Sequence, residues 1–101
     1  MRVIVMFDLP VNSYLNRKEY SRFRKHLISQ GFIMMQESIY SKLVQNQTAA
    51  ELVVENIKKN KPSNGLVQVM KITEKQYARI ECIVGESTSE IINSNDRIVI
   101  L

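Results

Sequence analysis

The period of apolar and polar positions changes several times along this chain. Val3-Ile4-Val5-Met6-Phe7 is apolar at both parities and rich in β-branched residues, the pattern of a strand buried on both faces. Pro10 has no N–H to offer a ladder, so the strand is expected to stop at Asp8-Leu9. Tyr20, Phe23, Leu27 and Ile28 then recur at helical spacing and, at about 100° per residue, fall on one side of a helix. Asn16 and Glu19 resemble a capping box at its start, Ser13 is a rival cap, and Gly31 is a natural stop.

From Phe32 to Val44 the chain is again apolar and β-prone, with Gln36-Glu37-Ser38 as a polar middle. The pattern predicts two short strands, Phe32–Met35 and Ile39–Leu43, joined by a tight turn, with a single bent strand as the alternative. A second helix is expected from Thr48, capped with Glu51, its apolar side formed by Ala49, Leu52, Val53 and Ile57. Lys58-Lys59-Asn60-Lys61-Pro62 closes it: lysines suit the carboxyl end of the helix dipole and Pro62 ends the run. Ser63-Asn64-Gly65 reads as a turn, Leu66 to Ile72 as a strand, and Thr73 to Tyr77 as a single helical turn capped by Thr73. A short strand over Arg79 to Val84, a polar loop over Glu86 to Asn95 and a last strand over Ile98 to Leu101 complete the reading.

The order strand, helix, two strands, helix, strand is the split βαβ arrangement (βαββαβ) of the ferredoxin-like fold, an α+β class. Residues 1–101 are read as one such domain, with an extra C-terminal strand at about 96–101. An unpaired apolar strand is a liability, and pairing with a second protomer is the simplest remedy.

The net charge of +4 favours a polyanionic partner without identifying one. Lys18, Arg22 and Lys25 fall within one narrow arc of the first helix, opposite its apolar side. With Arg17 they form a stripe able to contact phosphates; the competing reading is an ordinary solvated face. Lys58, Lys59 and Lys61 add a second basic group. No interleaved aromatic ladder offers stacking to single-stranded bases, so recognition would be of backbone and shape. A lone cysteine, Cys82, forms no intrachain disulfide and fits a reducing cytoplasm; it reads as a small core residue. No apolar run approaches the ~20 residues of a membrane span, and no P-loop, dinucleotide-binding or zinc pattern occurs.

Asp8, where a buried strand runs out, can be a metal-binding carboxylate or a turn-former before Pro10. Glu19 and Glu51 are accounted for by helix caps, and Glu37 is the least explained carboxylate. One protomer thus offers a single good metal ligand, and a two-fold axis would supply a second Asp8. His26 is expected on the exposed side of its helix, without a catalytic role.

Phe7-Asp8-Leu9-Pro10, Tyr20-Ser21-Arg22-Phe23-Arg24-Lys25-His26-Leu27 and Gly31-Phe32-Ile33-Met34-Met35-Gln36-Glu37-Ser38-Ile39-Tyr40 resemble, in order and spacing, the small CRISPR-associated endoribonuclease and spacer-adaptation family. The wording is similar to its type II branch. The resemblance covers the first half of the chain, and the second half agrees in element order and length. It implies a ferredoxin-like homodimer whose C-terminal strand packs on the partner's sheet. It also implies that Asp8 from both protomers forms a catalytic site for Mg²⁺, or another divalent ion such as Mn²⁺, in a nuclease acting on RNA or double-stranded DNA. Members also work with the larger adaptation integrase, bridging its dimers along the DNA to be inserted. From the basic stripe, Arg17, Lys18, Arg22 and Lys25 are expected to contact that DNA. The rival readings are a purely non-catalytic DNA-binding adaptor and a toxin-like RNase or ferredoxin-like small-molecule sensor, all compatible with the one fold.

Overall fold

The computed structural model describes residues 1–85. Its elements are β1 (Arg2–Asp8), α1 (Tyr14–Ser29), β2 (Ile33–Gln36), β3 (Ile39–Leu43), α2 (Gln47–Lys59), β4 (Leu66–Ile72) and α3 (Glu74–Ala78). The sheet order is β2-β3-β1-β4, with every neighbouring pair antiparallel. This is the ferredoxin-like βαββαβ arrangement, followed by the short α3. The expected strand at 96–101 and the polar loop at 86–95 lie outside the described residues.

β1 carries the longest unbroken apolar run of the four strands, Val3 to Phe7, which suits a central strand with both faces covered. Val3, Val5 and Phe7 point to one face and are buried with Phe23 and Leu27 of α1 and Ala50 and Ile57 of α2. Alternation sends Arg2, Ile4, Met6 and Asp8 to the opposite, helix-free face. Even there Ile4 is buried, between Ser41 of β3 and Met70 of β4 in the register. Phe7 anchors the core: its ring meets Tyr20 and Phe23 edge-on at 5.7 and 5.2 Å, and stacks on Tyr40 at 5.8 Å.

The polar middle of residues 32–44 is a tight turn, as the hairpin reading expects, with Gln36 paired to Ile39. A bulge between Met34 and Gln36 shifts the register. Ser38 takes φ 65°, a left-handed conformation uncommon for a residue with a side chain.

Several local expectations are corrected. The cap of α1 is Ser13, whose side chain accepts from the Asn16 N–H, rather than Asn16. The cap of α2 is Asn46, two residues before Thr48, and it accepts from the Ala49 N–H. Leu52 is exposed on α2, while Ala50 takes the buried position. Arg79 to Val84 is not a strand: the segment follows α3 as exposed coil, and Ile83 and Val84 are 84% and 90% exposed. Cys82 is exposed rather than a core residue. The α3 turn is as expected, and Gln76 completes a capping box with Thr73. Among the described residues, no helix is long and apolar enough to cross a membrane.

Candidate functional site

Asp8 is the last residue of β1, exposed on the helix-free face and paired in register with Leu66, the first residue of β4. It lines an open hollow of about 250 Å³ together with Glu37 and Ser38 of the β2–β3 turn and Leu66 and Gln68 of β4. Folding therefore brings Glu37 to the rim of the hollow that holds Asp8. Its unexplained place in a tight turn was the only signal for this in the sequence.

Two loops hold this end of β1, and both are tied to α1. On one side the Phe7 N–H donates to the Ser38 carbonyl at 3.0 Å, and the Ser38 and Tyr20 hydroxyls share a hydrogen bond of 3.2 Å. On the other side, Gly65 packs so closely that a Cβ there would lie 2.7 Å from the Asp8 carbonyl oxygen. Asp8 thus sits in a backbone position set by both loops, with its side chain free on the open face.

Asp8 is a hard oxygen donor of the kind Mg²⁺ and Mn²⁺ take, and such ions commonly use one or two carboxylates with substrate oxygens completing the shell. Among the described residues no group of three His, Cys, Asp or Glu could by itself hold a metal ion. The donor set fits a site shared with a second copy or with substrate, and not a closed cage within one chain.

The open face itself is apolar. Ile33, Ile4 and Met70 share it through the register, as do Leu43 and Leu66. Ile33, Leu43, Leu66 and Met70 are between 42% and 59% exposed, unusual for a face with no partner. At the far end from Asp8, α3 is tied to this face by Arg2, which pairs with Glu74 at 2.9 Å and lies 4.0 Å from the Tyr77 ring centre.

The basic stripe on α1 divides in two. Lys18 and Lys25 are exposed and form no salt bridge among the described residues. Arg17 donates to the Val11 carbonyl at 3.3 Å. Arg22 is heavily engaged. It grips both oxygens of Glu19 at 3.1 and 3.2 Å, and donates to the carbonyls of Asn60 at 3.2 Å and Lys61 at 3.3 Å. The Arg22 hydrogen bond is the main reason the Glu19 carboxyl is held below its usual range; it outweighs the opposing desolvation, and the guanidinium charge and the Ser63 backbone N–H add to it. His26 is half-buried rather than on the exposed side, and its Nε2 lies 2.9 Å from Asn56 Oδ1 of α2. Helical spacing alone could not reveal that α2 packs along that flank.

Residues 1–80 match the family model for CRISPR associated protein Cas2. The chain is 57% identical over 101 residues to a CRISPR-associated endoribonuclease Cas2 of Treponema denticola, covering all of both chains. It is 45% identical to one of Streptococcus mutans, covering all of this chain and 93% of that one. It is 44% identical to one of Ligilactobacillus salivarius, over the whole of both. With Asp8 at the end of the central strand, a ferredoxin-like sheet and this similarity along its whole length, the chain belongs to the Cas2 family of CRISPR-associated proteins.

Proposed function

We propose that this chain works as a homodimeric, metal-dependent endonuclease of the CRISPR adaptation machinery, acting on RNA or double-stranded DNA in the cytoplasm. Its basic helix would bind DNA, and the dimer would bridge the larger adaptation integrase. The observation that carries this reading is the placement of Asp8 on the open, apolar face of the sheet. A two-fold pairing through that face buries Ile33, Leu43 and Met70 and brings the end of each β1 towards the dyad. At about 25 cal/mol per Å² of apolar surface removed from water, covering such a face favours the dimer. The exposed Ile80, Ile83 and Val84 supply further apolar surface for the partner.

Asp8 of both protomers would hold the divalent ion, Mg²⁺ or Mn²⁺, which when bound supplies Lewis-acid stabilisation for charge developing on a phosphate. The chain's own contribution is to fix the Asp8 backbone between two loops. Lys18 and Lys25, with Arg17, are placed to meet phosphates, giving sequence-independent, salt-dependent binding. Arg22 contributes its charge to the same side.

The test compares wild type with Asp8→Asn in two assays on folded dimers, namely Mg²⁺-dependent cleavage of RNA and duplex DNA, and spacer integration with the partner integrase. Loss of cleavage with integration retained is the expected result. Unchanged cleavage in Asp8→Asn would overturn the catalytic assignment, and a monomer at micromolar concentration would overturn the shared site.

A further inference from the structure

We infer that the Glu19–Arg22 pair of α1 is a clasp that positions Asp8, acting through the loop between α2 and β4. This deepens the proposed function, because it assigns a positioning role at that same site.

The path is short and made of named contacts. Arg22 belongs to the arc of Lys18, Arg22 and Lys25, yet its hydrogen bonds go to Glu19 of the same helix and to the chain that follows α2. Its guanidinium bonds both Glu19 oxygens, which fixes its plane, and in that plane it reaches the Asn60 and Lys61 carbonyls. Asn60 caps the carboxyl end of α2, where helix carbonyls lack partners and a cation is favoured. Asn60 is held a second time by its own side chain, which donates to the Asn56 carbonyl at 2.9 Å. His26 of α1 in turn contacts Asn56 Oδ1. From Lys61 the chain runs through Pro62 to Gly65, which packs so closely that an added Cβ would meet the Asp8 carbonyl and Leu9, and then to Leu66, the register partner of Asp8. The Glu19–Arg22 pair therefore fixes the start of a loop whose end forms one wall at Asp8.

A bidentate guanidinium–carboxylate pair suits this task because its geometry is fixed, which a lysine's single point charge does not provide. On the exposed surface such a pair adds little stability. Its value here is the orientation it gives to two backbone carbonyls.

The charge-neutralising variants Glu19→Gln and Arg22→Gln separate positioning from simple electrostatics. Removing an anion weakens cation binding at a distance, and removing a cation strengthens it, so long-range charge predicts opposite effects. Loss of the clasp predicts the same effect for both. The measurement is Mn²⁺ binding to the folded dimer at physiological salt, read from paramagnetic broadening of the Asp8 and Leu66 amides, alongside their exchange rates and the thermal midpoint. Both variants are expected to raise the half-saturating Mn²⁺ concentration about tenfold, the low end for lost supporting contacts at metal sites. Arg22→Lys is expected to fall with them. Opposite shifts in Glu19→Gln and Arg22→Gln, or no shift in either, would overturn the clasp. Absence of Mn²⁺ binding by the wild type would refute the metal reading of Asp8. The clasp is then decided by amide exchange, where unchanged protection at Asp8 and Leu66 in Glu19→Gln refutes it.

Discussion

Gly65 offers a quantitative test of how tightly the α2–β4 loop is pressed onto the end of β1. It has φ +93°, and an added Cβ would meet the Asp8 carbonyl oxygen and Leu9 Cδ2, each at 2.7 Å, and Leu9 Cα at 3.1 Å. Gly31 is a matched control with φ +94°, because its Cβ would meet only Lys42 Nζ at 2.6 Å and Cε at 3.9 Å. That ammonium is the far end of a flexible side chain and can move aside, whereas the Asp8 backbone is held in the sheet. The left-handed backbone costs an L-residue about 1–2 kcal/mol at either position. The stiffer unfolded chain of an alanine variant offsets about 0.4–1 kcal/mol in both. Only Gly65→Ala adds the cost of forcing atoms into a packed region, about 1–3 kcal/mol. Gly31→Ala is therefore expected to lose about 1 kcal/mol and Gly65→Ala about 3 kcal/mol. At about 4–8 °C per kcal/mol for a domain of this size, the two midpoints should differ by about 8–16 °C. The assay is thermal or urea unfolding at one fixed protomer concentration, since dimerisation makes the midpoint concentration-dependent. Equal losses in the two variants would refute the close packing of the loop on Asp8.

Two further outcomes follow from the contacts described. Ser13→Ala and Asn46→Ala should each cost about 1 kcal/mol, while Asn16→Ala and Thr48→Ala should cost less, because only the first two accept a capping N–H; urea midpoints of the four variants decide it. The Glu19 carboxyl titrates below its ordinary 4.5 in the folded protein, so its stabilising contribution is complete above that value and is lost as the pH falls through the lowered one. The difference in thermal midpoint between wild type and Glu19→Gln should accordingly shrink on acidification below pH 4.5, and a difference that stays constant would contradict the sign.

Much of the architecture could be read from local patterns. The unbroken apolar run in β1, closed by Pro10, marks a central strand, and the change from period two to helical spacing and back places the elements that follow. The local rules failed where two neighbouring sequences satisfied them equally. Ser13 and Asn16 both offer capping oxygens, as do Asn46 and Thr48, and in each case the earlier residue takes the extended backbone and accepts the capping N–H. Arg79 to Val84 has strand-forming residues, but among the described residues no strand pairs with it, so β-propensity alone did not make a strand. The place of Asp8 at the end of β1 was legible because the apolar run stops there and Pro10 follows. The clasp was not, since Glu19 had a sufficient explanation as a cap and Arg22 as a phosphate contact. Their joint role depends on Asn60 and Lys61, nearly forty residues away along the chain.

The central position of β1 also has a consequence during synthesis. The strand precedes both of its neighbours in the chain, so Val5 leaves the ribosome well before Tyr40 and long before Val69, its partners in the finished sheet. In the interval Val3 to Phe7 is a β-prone, uncharged segment with two unpaired edges, the kind that seeks strands in other molecules. α1 is the first element that can cover it, through Phe23 and Leu27, and β3 and β4 then close its two edges. The nascent chain thus carries its most adhesive segment for the longest time, and its escape from aggregation depends on how quickly α1 folds back over it.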